Sequence, residues 1–374
     1  MEKEFIKKQI NFNFSKEKLV FDVNQSLFSS ADIDLGTRML INSLRKNPSI
    51  NYGKILDLGC GYGIIGIFLK KKYAKSEVTC IDRDVLAIEF TKHNSLLNKC
   101  EINAFPGLGY DGINGKFNLI VCNFPAKAGI NCLRNFVYNA SMHLEKDGIF
   151  AVVIVKELTD DFEKIINDNI QMIYEQKAKG YSIYHIRFKR ESEYNEDPYF
   201  RQLIQFKLEN KTYKLKTAYN LREFESPHFS SLSILKIIKN LEFFEKIVII
   251  NPFQGHVAIG AMHYLKPLNI SLVSEDMLSL NYSYINLKDN GFENVKNYPT
   301  DLLSENLGKL LIWTLDSEEY FELSEYKFNK LKKIYSDIII SGEKSKINRL
   351  IKKNRIKPID DGEFGEFKAV FLKI

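Results

Sequence analysis

A glycine-rich turn is the strongest chemical signal in the chain. The stretch ILDLGCGYG (55–63) ends an apolar, strand-like run at an acid, Asp57, and then places three glycines at alternate positions, Gly59, Gly61 and Gly63. Glycine lets the backbone turn tightly and approach a ligand where any Cβ would intrude. The helix expected after the turn would present its first amide groups to that ligand. This pattern predicts a binding site at the end of the strand.

A second acid completes a pocket suited to a nucleoside. Asp82 ends the next strand-like run, EVTCID (77–82), and a carboxylate there can accept hydrogen bonds from both hydroxyls of a ribose. Gly61, Gly63 and Gly66 also satisfy the dinucleotide pattern GxGxxG, and such glycines can serve only to pack a helix against a strand. The acid two residues before the first glycine favours S-adenosyl-L-methionine over a dinucleotide, and no His or Lys pairing suited to hydride transfer accompanies it.

An asparagine follows a third apolar run. In FNLIVCNFPAKAG (117–129), Asn123 stands where the run ends and is followed by Phe124 and Pro125. Open α/β sheets bind their ligands outside the carboxyl ends of parallel strands. An amide oxygen there can accept a proton from an exocyclic amine of a base and turn the nitrogen lone pair toward a methyl group. We predict that Asn123, Phe124 and Pro125 form the methyl-acceptor site.

The elements that must position these residues occur twice in the chain. Two alternating runs around a polar turn, INFNFSKEKLVFDV (10–23), are echoed by IQFKLENKTYKLKT (204–217). DVLAIEFTKHNSLLN (84–98) is echoed by DMLSLNYSYINLKDN (276–290), with Asp, Leu and two Asn matching at a constant offset of 192 residues. Each copy therefore reads as a hairpin, a helix, and then alternating strands and helices.

This repetition predicts the fold class and the domain boundary. We expect an α/β protein made of two tandem Rossmann-like domains, residues 1–190 and 191–374, joined near the polar, charged segment KRESEYNEDPYF (189–200).

Composition limits the classes of function. The 374 residues are 45% hydrophobic and 27% charged, with a net charge of +6 that weakly favours a polyanionic partner. The apolar runs are too short to cross a bilayer, and the opening MEKEFIKKQI lacks the apolar core of a secretory signal. The five cysteines form no CxxC pair and have no His at metal-ligand spacing. We expect a cytoplasmic protein with reduced thiols, no metal and no membrane partner; the oligomeric state is not determined by the sequence.

Taken together, these motifs resemble class I S-adenosylmethionine-dependent methyltransferases. Within that class they are similar to the tandem-domain ribosomal RNA guanine-N2 methyltransferases, the small-domain methyltransferase group. The resemblance rests on LFSSADIDLGTRMLINSL (27–44), on LDLGCGYGIIG (56–66), on Asp82, and on Asn123 with Pro125. It implies that the glycine loop holds the methionine part of the cofactor, that Asp82 holds the ribose, and that the Asn-Pro turn holds the amine to be methylated.

The chain departs from that family in two ways. Where the family has Asn-Pro-Pro-Phe, this chain has Asn123, Phe124, Pro125 and Ala126. A base in the site would therefore lose an aromatic stacking partner, a contact worth about 1–3 kcal/mol elsewhere. In the family the degenerate copy also precedes the active one, whereas here the motifs lie in the first copy.

Four other motif residues have a structural interpretation. Asp34 and Thr37 suit the start of a helix, where Asp and Thr cap free backbone amides. Asn94 and Asn98 recur in both copies, and we interpret them as structural.

The second copy lacks the residues required for chemistry. Alignment from the preceding strand pairs Asp57 with Asn251, Gly59 with Phe253, Gly61 with Gly255, Gly63 with Val257, Asp82 with Ser274 and Asn123 with Thr314. Side chains at 253 and 257 would fill the cofactor's place. We predict an active S-adenosylmethionine-binding domain at 1–190 and a degenerate methyltransferase-like domain at 191–374 that binds no cofactor.

The main functional hypothesis is methylation of an exocyclic amine of a base in ribosomal or other structured RNA. Two alternatives stay open: a methyltransferase that acts on a protein or small molecule, and a non-catalytic RNA-binding or assembly protein that keeps the pocket. In the second copy, KSKINRLIKKNRIK (344–357) carries seven basic residues that could contact phosphates or form a solvated helix face.

Overall fold

The structure, a computed structural model, describes residues 1–14, 17–27, 32–45, 53–178, 180–300, 303–316 and 319–374. Residues 28–31 of the motif at 27–44 lie outside the described residues. The chain divides into two compact units, Met1–Tyr199 and Phe200–Ile374. The division falls at the end of the segment 189–200, beyond the boundary of 190/191 that the sequence suggested.

The first unit contains a hairpin followed by alternating strands and helices. Its strands are β1 (Lys8–Phe14), β2 (Glu17–Val23), β3 (Lys54–Leu58), β4 (Glu77–Asp82), β5 (Asn103–Pro106), β6 (Phe117–Asn123), β7 (Leu144–Val155), β8 (Ile170–Ala178) and β9 (Tyr181–Phe188). Its α-helices are α1 (Leu35–Arg45), α2 (Ile64–Lys72), α3 (Val85–Leu97), α4 (Ile130–His143) and α5 (Thr159–Ile165).

Seven of these strands form one sheet in the order β5-β4-β3-β6-β7-β9-β8, while β1 and β2 pair separately. The first five run parallel, and β9 pairs antiparallel with both β7 and β8. Strands of a parallel sheet are covered on both faces and are therefore apolar along their whole length. The central strand β6 follows this rule, since Leu119 to Cys122 are fully buried.

The second unit repeats this plan. Its strands are β10 (Phe200–Leu208), β11 (Lys211–Ala218), β12 (Lys246–Ile250), β13 (Asn269–Ser274), β14 (Val295–Pro299), β15 (Leu310–Thr314), β16 (Asp337–Glu343), β17 (Asp360–Phe364) and β18 (Phe367–Lys373). Its α-helices are α6 (Phe229–Ile238), α7 (His256–Tyr264), α8 (Met277–Asp289), α9 (Phe321–Leu331) and α10 (Lys344–Asn354). The sheet order, β14-β13-β12-β15-β16-β18-β17, is the same as in the first unit.

The predicted fold class is therefore confirmed: each unit is a Rossmann-like α/β domain, and the chain holds two in tandem. No helix in the described part of the chain has the length and apolar character needed to cross a membrane.

The repeated asparagines attach each hairpin to its unit. Asn94 on α3 accepts a hydrogen bond from Asp22 N at 2.9 Å and donates to Asp22 O at 3.0 Å. Asn98 makes the same pair of bonds with Val20 at 2.9 and 2.7 Å. Asn286 and Asn290 on α8 repeat both pairs on β11 in the second unit. The asparagine side chains thus make the hydrogen bonds to the backbone of β2 and β11 that a paired strand could make. This shared role explains why the asparagines recur in both units.

The structure corrects the alignment of the two glycine turns. Gly63 precedes α2 with φ +90°, and Gly255 precedes α7 with φ +95°. These two residues therefore correspond, and the offset is 192 residues through the turn rather than 194. The corrected pairs are Asp57 with Ile249, Gly59 with Asn251, Gly61 with Phe253 and Gly63 with Gly255. The first alignment was wrong because it was anchored on the apolar strands, whose ends the sequence does not mark sharply.

Candidate functional site

The candidate site of the first unit lies where the strand order reverses. Strands β3 and β6 are neighbours, and the chain leaves them toward opposite edges of the sheet. Open α/β sheets bind ligands in the crevice outside the carboxyl ends of such strands. The turn after β3 and Asn123 at the end of β6 line a cavity in this crevice, and Asp82 ends the neighbouring strand β4.

The glycine turn adopts a backbone shape that other residues rarely take. Gly59, Gly61 and Gly63 have φ of +74°, +56° and +90°. The amide of Gly59 donates to Ile81 O at 2.9 Å, which ties the turn to β4. Because non-glycine residues adopt positive φ only at a cost, glycine suits all three positions.

The glycines differ in what surrounds them. Within the described part of the chain, a Cβ built on Gly59 or Gly61 would meet no atom within 4 Å, whereas one on Gly63 would lie 3.0 Å from Thr91 on α3. Gly59 and Gly61 therefore leave an open surface, and Gly63 allows a close approach of the turn to α3. The open surface faces a small cavity that Asn123 also lines.

The eight predicted site residues are all described, and three of them line this cavity: Gly59, Gly61 and Asn123. Asp57, Gly63, Asp82, Phe124 and Pro125 do not. Three residues that the prediction did not assign to the site, Asp34, Thr37 and Tyr62, also line it.

Asp57 lies behind the turn. Its side chain is 1% exposed, and Oδ2 accepts a hydrogen bond from Gly66 N in the first turn of α2 at 2.7 Å. Burial raises the pKa of this carboxyl from 3.8 to about 7; the hydrogen bond from Gly66 opposes the shift, and the nearby charge of Asp82 adds to it. Asp57 thus fixes the helix start relative to β3.

Asp82 joins the turn to the end of β4. Its Oδ2 accepts from Gly61 N at 2.8 Å, and its Oδ1 accepts from Asp84 N at 3.0 Å. The two backbone bonds therefore hold the Asp82 carboxylate in a fixed orientation at the end of β4.

Asn123 is held by the start of α1. Its Nδ2 donates to Asp34 Oδ2 at 3.0 Å and to Thr37 Oγ1 at 2.9 Å. Asp34 also caps α1, since Oδ2 accepts from Thr37 N at 3.1 Å, and its Oδ1 accepts from the hydroxyl of Tyr181 at 2.7 Å. The capping interpretation of Asp34 and Thr37 was therefore incomplete, because both residues also bind the asparagine of the site.

The residues after Asn123 face different ways. Phe124 is 3% exposed, and its ring packs edge to face against Phe136 at 5.7 Å. Pro125 and Ala126 are exposed. The ring of Phe124 lies in the core, so the geometry does not support a stacking contact from this residue with a base.

Comparison with known protein families gives a match inside the first unit. Residues 18–185, a little under half of the chain, match the family described as "Methyltransferase small domain". The match spans most of the first unit and includes the glycine turn, Asp82 and Asn123.

Curated relatives match part of the chain. Ribosomal RNA small subunit methyltransferase C of Haemophilus influenzae (strain PittGG) is 29% identical over 163 residues, which cover 42% of this chain and 48% of that protein. The protein of the same name from Aeromonas hydrophila is 34% identical over 131 residues, covering 34% of this chain and 37% of that protein. The chain thus matches about half the length of these relatives, or less.

A solved structure shares the whole architecture. The 16S rRNA N2 methyltransferase of T. thermophilus, in complex with AdoMet and guanosine, superimposes with a TM-score of 0.70 and covers 100% of both chains at 11% identity. This likeness shows that the tandem fold is common to the two proteins.

The second unit has side chains where the first unit has glycines. Asn251 and Phe253 replace Gly59 and Gly61 and keep the left-handed backbone, with φ of +59° and +49°. Only Gly255 persists, and a Cβ there would lie 3.3 Å from Ser283 on α8, as one on Gly63 would approach Thr91 on α3.

Charged side chains occupy the matching strand ends of the second unit. A small cavity beside Asn251 is lined in part by Lys327, whose Nζ lies 2.5 Å from Glu319 and 3.8 Å from Glu275. At the position of Asn123, the hydroxyl of Thr314 is buried and has no hydrogen-bond partner among the described residues. The side chains at these strand ends therefore differ from those of the first unit.

The basic run of the second unit forms α10 and the segment after it. Lys344 pairs with Glu363 at 2.9 Å, and Lys353 pairs with Glu325 at 2.6 Å. Arg349 stacks on Phe321 at 3.9 Å from the ring centroid. Part of the charge that the sequence offers for phosphate contacts is therefore neutralised within the unit.

Proposed function

We propose that this protein is an S-adenosylmethionine-dependent methyltransferase that modifies an exocyclic amine of a base in ribosomal RNA. The observation that carries the proposal is the Asn123 amide, which is held by Asp34 and Thr37 and lines the same cavity as Gly59 and Gly61. The family of residues 18–185 supports the reaction class. The names of the curated relatives and the AdoMet and guanosine of the T. thermophilus complex support the cofactor and the substrate.

The residues of the first unit fit the cofactor. None of the described residues covers the surface of Gly59 and Gly61, and a Cβ at either position would intrude on the space beside it. Asp82 is oriented by two backbone amides and can accept hydroxyl protons of a ribose. When bound, S-adenosylmethionine supplies an electrophilic methyl group on a sulfonium, so the protein itself needs little acid or base chemistry.

The contribution of Asn123 is to hold the nucleophile. Its Nδ2 is engaged by Asp34 and Thr37, so Oδ1 is the atom that can receive a proton of an amine. Accepting that proton keeps the nitrogen lone pair directed away from the amide, and such fixed orientation is a large part of catalysis in group transfer. An amide does not act as a base at neutral pH, and the proton released from the methylated amine passes to water.

The second unit and the location of the protein complete the proposal. Residues 1–190 would carry the activity, and residues 191–374 would keep the fold without binding the cofactor. A ribosomal substrate agrees with a cytoplasmic location. The RNA base would have to be unstacked to enter the cavity.

One observation favours a second candidate. The buried ring of Phe124 and the alanine at 126 leave the segment 123–128 without an exposed aromatic side chain. A nucleophile that needs no stacking, such as an amide or amine of a protein or small molecule, would suit this turn. The same experiment tests both candidates.

The test is transfer of a labelled methyl group from S-adenosylmethionine to ribosomal RNA, total protein and metabolites of a strain that lacks this gene. We expect label in small-subunit ribosomal RNA, on the exocyclic nitrogen of a purine. Asn123→Ala should lower the rate by about 100-fold, the cost of removing one preorganised hydrogen-bonding group.

Asn114→Ala is the matched control, because the exposed Asn114 bonds only to Gly112 O at 3.3 Å, and its rate should equal that of the wild type. If the label appears only in protein or metabolites, RNA is not the substrate and the second candidate is supported. Cofactor binding without transfer to any fraction would favour the non-catalytic binding protein.

A further inference from the structure

The side chain of Asn123 connects three distant parts of the first unit. Asn123 ends β6, Asp34 and Thr37 begin α1, and Tyr181 begins β9. Tyr181 is 147 residues from Asp34 in sequence, yet its hydroxyl donates to Asp34 Oδ1 at 2.7 Å. The hydrogen bond with the carboxylate raises the pKa of Tyr181 to about 12, so this phenol remains a donor at neutral pH.

Charge and valence fix the orientation of the asparagine amide. A carboxylate only accepts hydrogen bonds, so the atom of Asn123 that faces Asp34 Oδ2 at 3.0 Å must be the nitrogen. The second proton of that nitrogen goes to Thr37 Oγ1 at 2.9 Å. Both amide protons are then used, and among the described residues none donates to the remaining oxygen.

A glycine allows these groups to meet. A Cβ at Gly36 would lie 2.8 Å from Asp34 Oδ2 and 2.8 Å from a ring carbon of Tyr181. Any other residue at this position would therefore push the carboxylate and the phenol apart. The order Asp34, Gly36, Thr37 thus has a geometric reason beyond the start of a helix.

We propose that Asp34, Thr37 and Tyr181 are positioning residues that lock the Asn123 amide with Oδ1 toward the methyl acceptor, and so restrict the site to nucleophiles that donate an N–H. The inference rests on the proposed function and adds a substrate class to it. A flipped amide would present Nδ2, which repels an amine proton and instead suits an acceptor such as a carboxylate.

The alternative is that Asp34 only caps α1, and Asp34→Ser separates the two roles. Serine caps helices about as well as aspartate, but its hydroxyl is too short to reach both Asn123 and Tyr181. Asp34→Asn is the conservative variant, since its oxygen can still accept from Asn123 and Thr37 while its nitrogen meets the Tyr181 hydroxyl. Thr37→Val removes the second acceptor without a change of shape.

We expect Asp34→Ser to lower kcat for methyl transfer by about 10- to 100-fold through misplacement of the amide, with the cofactor Kd from calorimetry and the Tm unchanged. Thr37→Val and Tyr181→Phe should show smaller losses of the same kind, and Asp34→Asn should recover most of the rate. The matched control is Asp276→Ser, which alters the residue that caps α8 in the second unit and should leave the rate unchanged.

Two results would overturn the proposal. Wild-type kcat in Asp34→Ser would show that capping is the only role. A weaker cofactor Kd with the same kcat at saturation would make Asp34 a cofactor-binding residue.

A second measurement does not depend on activity. In NMR spectra, the two side-chain amide protons of Asn123 should exchange slowly with water in the wild type and in Asp34→Asn, and rapidly in the Asp34→Ser, Thr37→Val double variant. Rapid exchange in the wild type would show that the lock does not exist. If the protein methylates no substrate but the Asn123 amide protons exchange slowly, the proposed function is wrong and the positioning of Asn123 by Asp34 and Thr37 still stands.

Discussion

At the scale of single residues, burial of the Asp57 carboxyl lowers the stability of the fold, whereas the same carboxyl holds the start of α2 beside the candidate site. Its carboxylate is buried beside α2, and burial raises its pKa to about 7. The corresponding residue of the second unit is Ile249, which is fully buried and apolar. The fold therefore does not need a carboxylate at this position, and the first unit keeps one where it orients the glycine turn.

This burial predicts how stability depends on pH. Between pH 3.8 and about 7 the folded carboxyl keeps its proton while the unfolded one has lost it, so this group makes the protein less stable as the pH rises. The difference corresponds to about 4 kcal/mol. We expect Asp57→Asn to remove this loss, so that the variant gains unfolding free energy relative to the wild type from pH 4 to pH 7. Denaturant titrations with hydrogen exchange at β3 amides would measure it.

His185 acts in the opposite direction and must be included in that comparison. Its Nε2 lies 2.8 Å from Ser43 Oγ, and burial lowers its pKa from 6.5 to about 4. This histidine therefore adds stability as the pH rises from about 4 to 6.5. The two slopes partly cancel in the wild type, and the His185 slope should become visible in Asp57→Asn. Parallel pH profiles of the wild type and the variant would show that Asp57 does not titrate in this range.

At the scale of elements, the hairpin β1–β2 depends on α3 for its attachment. Asn94 holds the backbone of Asp22 and also donates to Tyr62 O at 3.0 Å. Asn94→Ala would leave these buried backbone groups without partners, at a cost of about 1–3 kcal/mol for each unsatisfied group.

We therefore expect Asn94→Ala to open the hairpin locally, and hydrogen exchange at Asp22 N should become faster. The matched variant is Asn286→Ala in the second unit. It should accelerate exchange at Lys216 N, which Asn286 holds at 2.8 Å, and leave Asp22 unchanged. Unchanged exchange at Asp22 in Asn94→Ala would mean that other contacts hold the hairpin.

Elements differ in how well the sequence predicts them. The repeated order of hairpin, strand and helix was readable because alternating and continuous apolar runs have distinct periods. The residue-by-residue pairing of the two glycine turns could not be read from the sequence, because the apolar strands before them can be aligned with more than one offset. The structure fixes the offset, since α2 and α7 begin directly after Gly63 and Gly255.

The candidate site was predictable only in part. Asn123 and the glycines stand next to strand ends, so local pattern places them near the crevice. Tyr181 gave no local signal, because its partner Asp34 is near only in the folded chain. The direction of Phe124 is set by the bond from Phe124 N to Val153 O at 3.0 Å on β7, which the sequence does not specify.

At the scale of the whole molecule, the chain combines two copies of one architecture with different surfaces at the same strand ends. The first presents glycine and an oriented acid. The second presents Asn251, Phe253 and Ser274, together with the ion pair of Lys327 and Glu319.

We therefore expect one S-adenosylmethionine to bind per chain. Isothermal titration of the full chain should give a stoichiometry near one, and Asp82→Ala should abolish the heat of binding because the ribose loses its acceptor. Ser274→Ala, at the matching position of the second unit, should not change it. Two sites per chain, or heat that survives in Asp82→Ala, would contradict the assignment of the cofactor to the first unit.

The left-handed backbone of Phe253 carries a consequence for what glycine contributes at this turn. A bulky residue holds there, with φ of +49°, a conformation that normally costs about 1–2 kcal/mol, which means that the surrounding fold can impose the bend on a residue that does not favour it. Glycine therefore lowers the cost of the bend and, in addition, keeps the space beside the turn open. A side chain can fill that hollow while the strand, the bend and the helix keep their order.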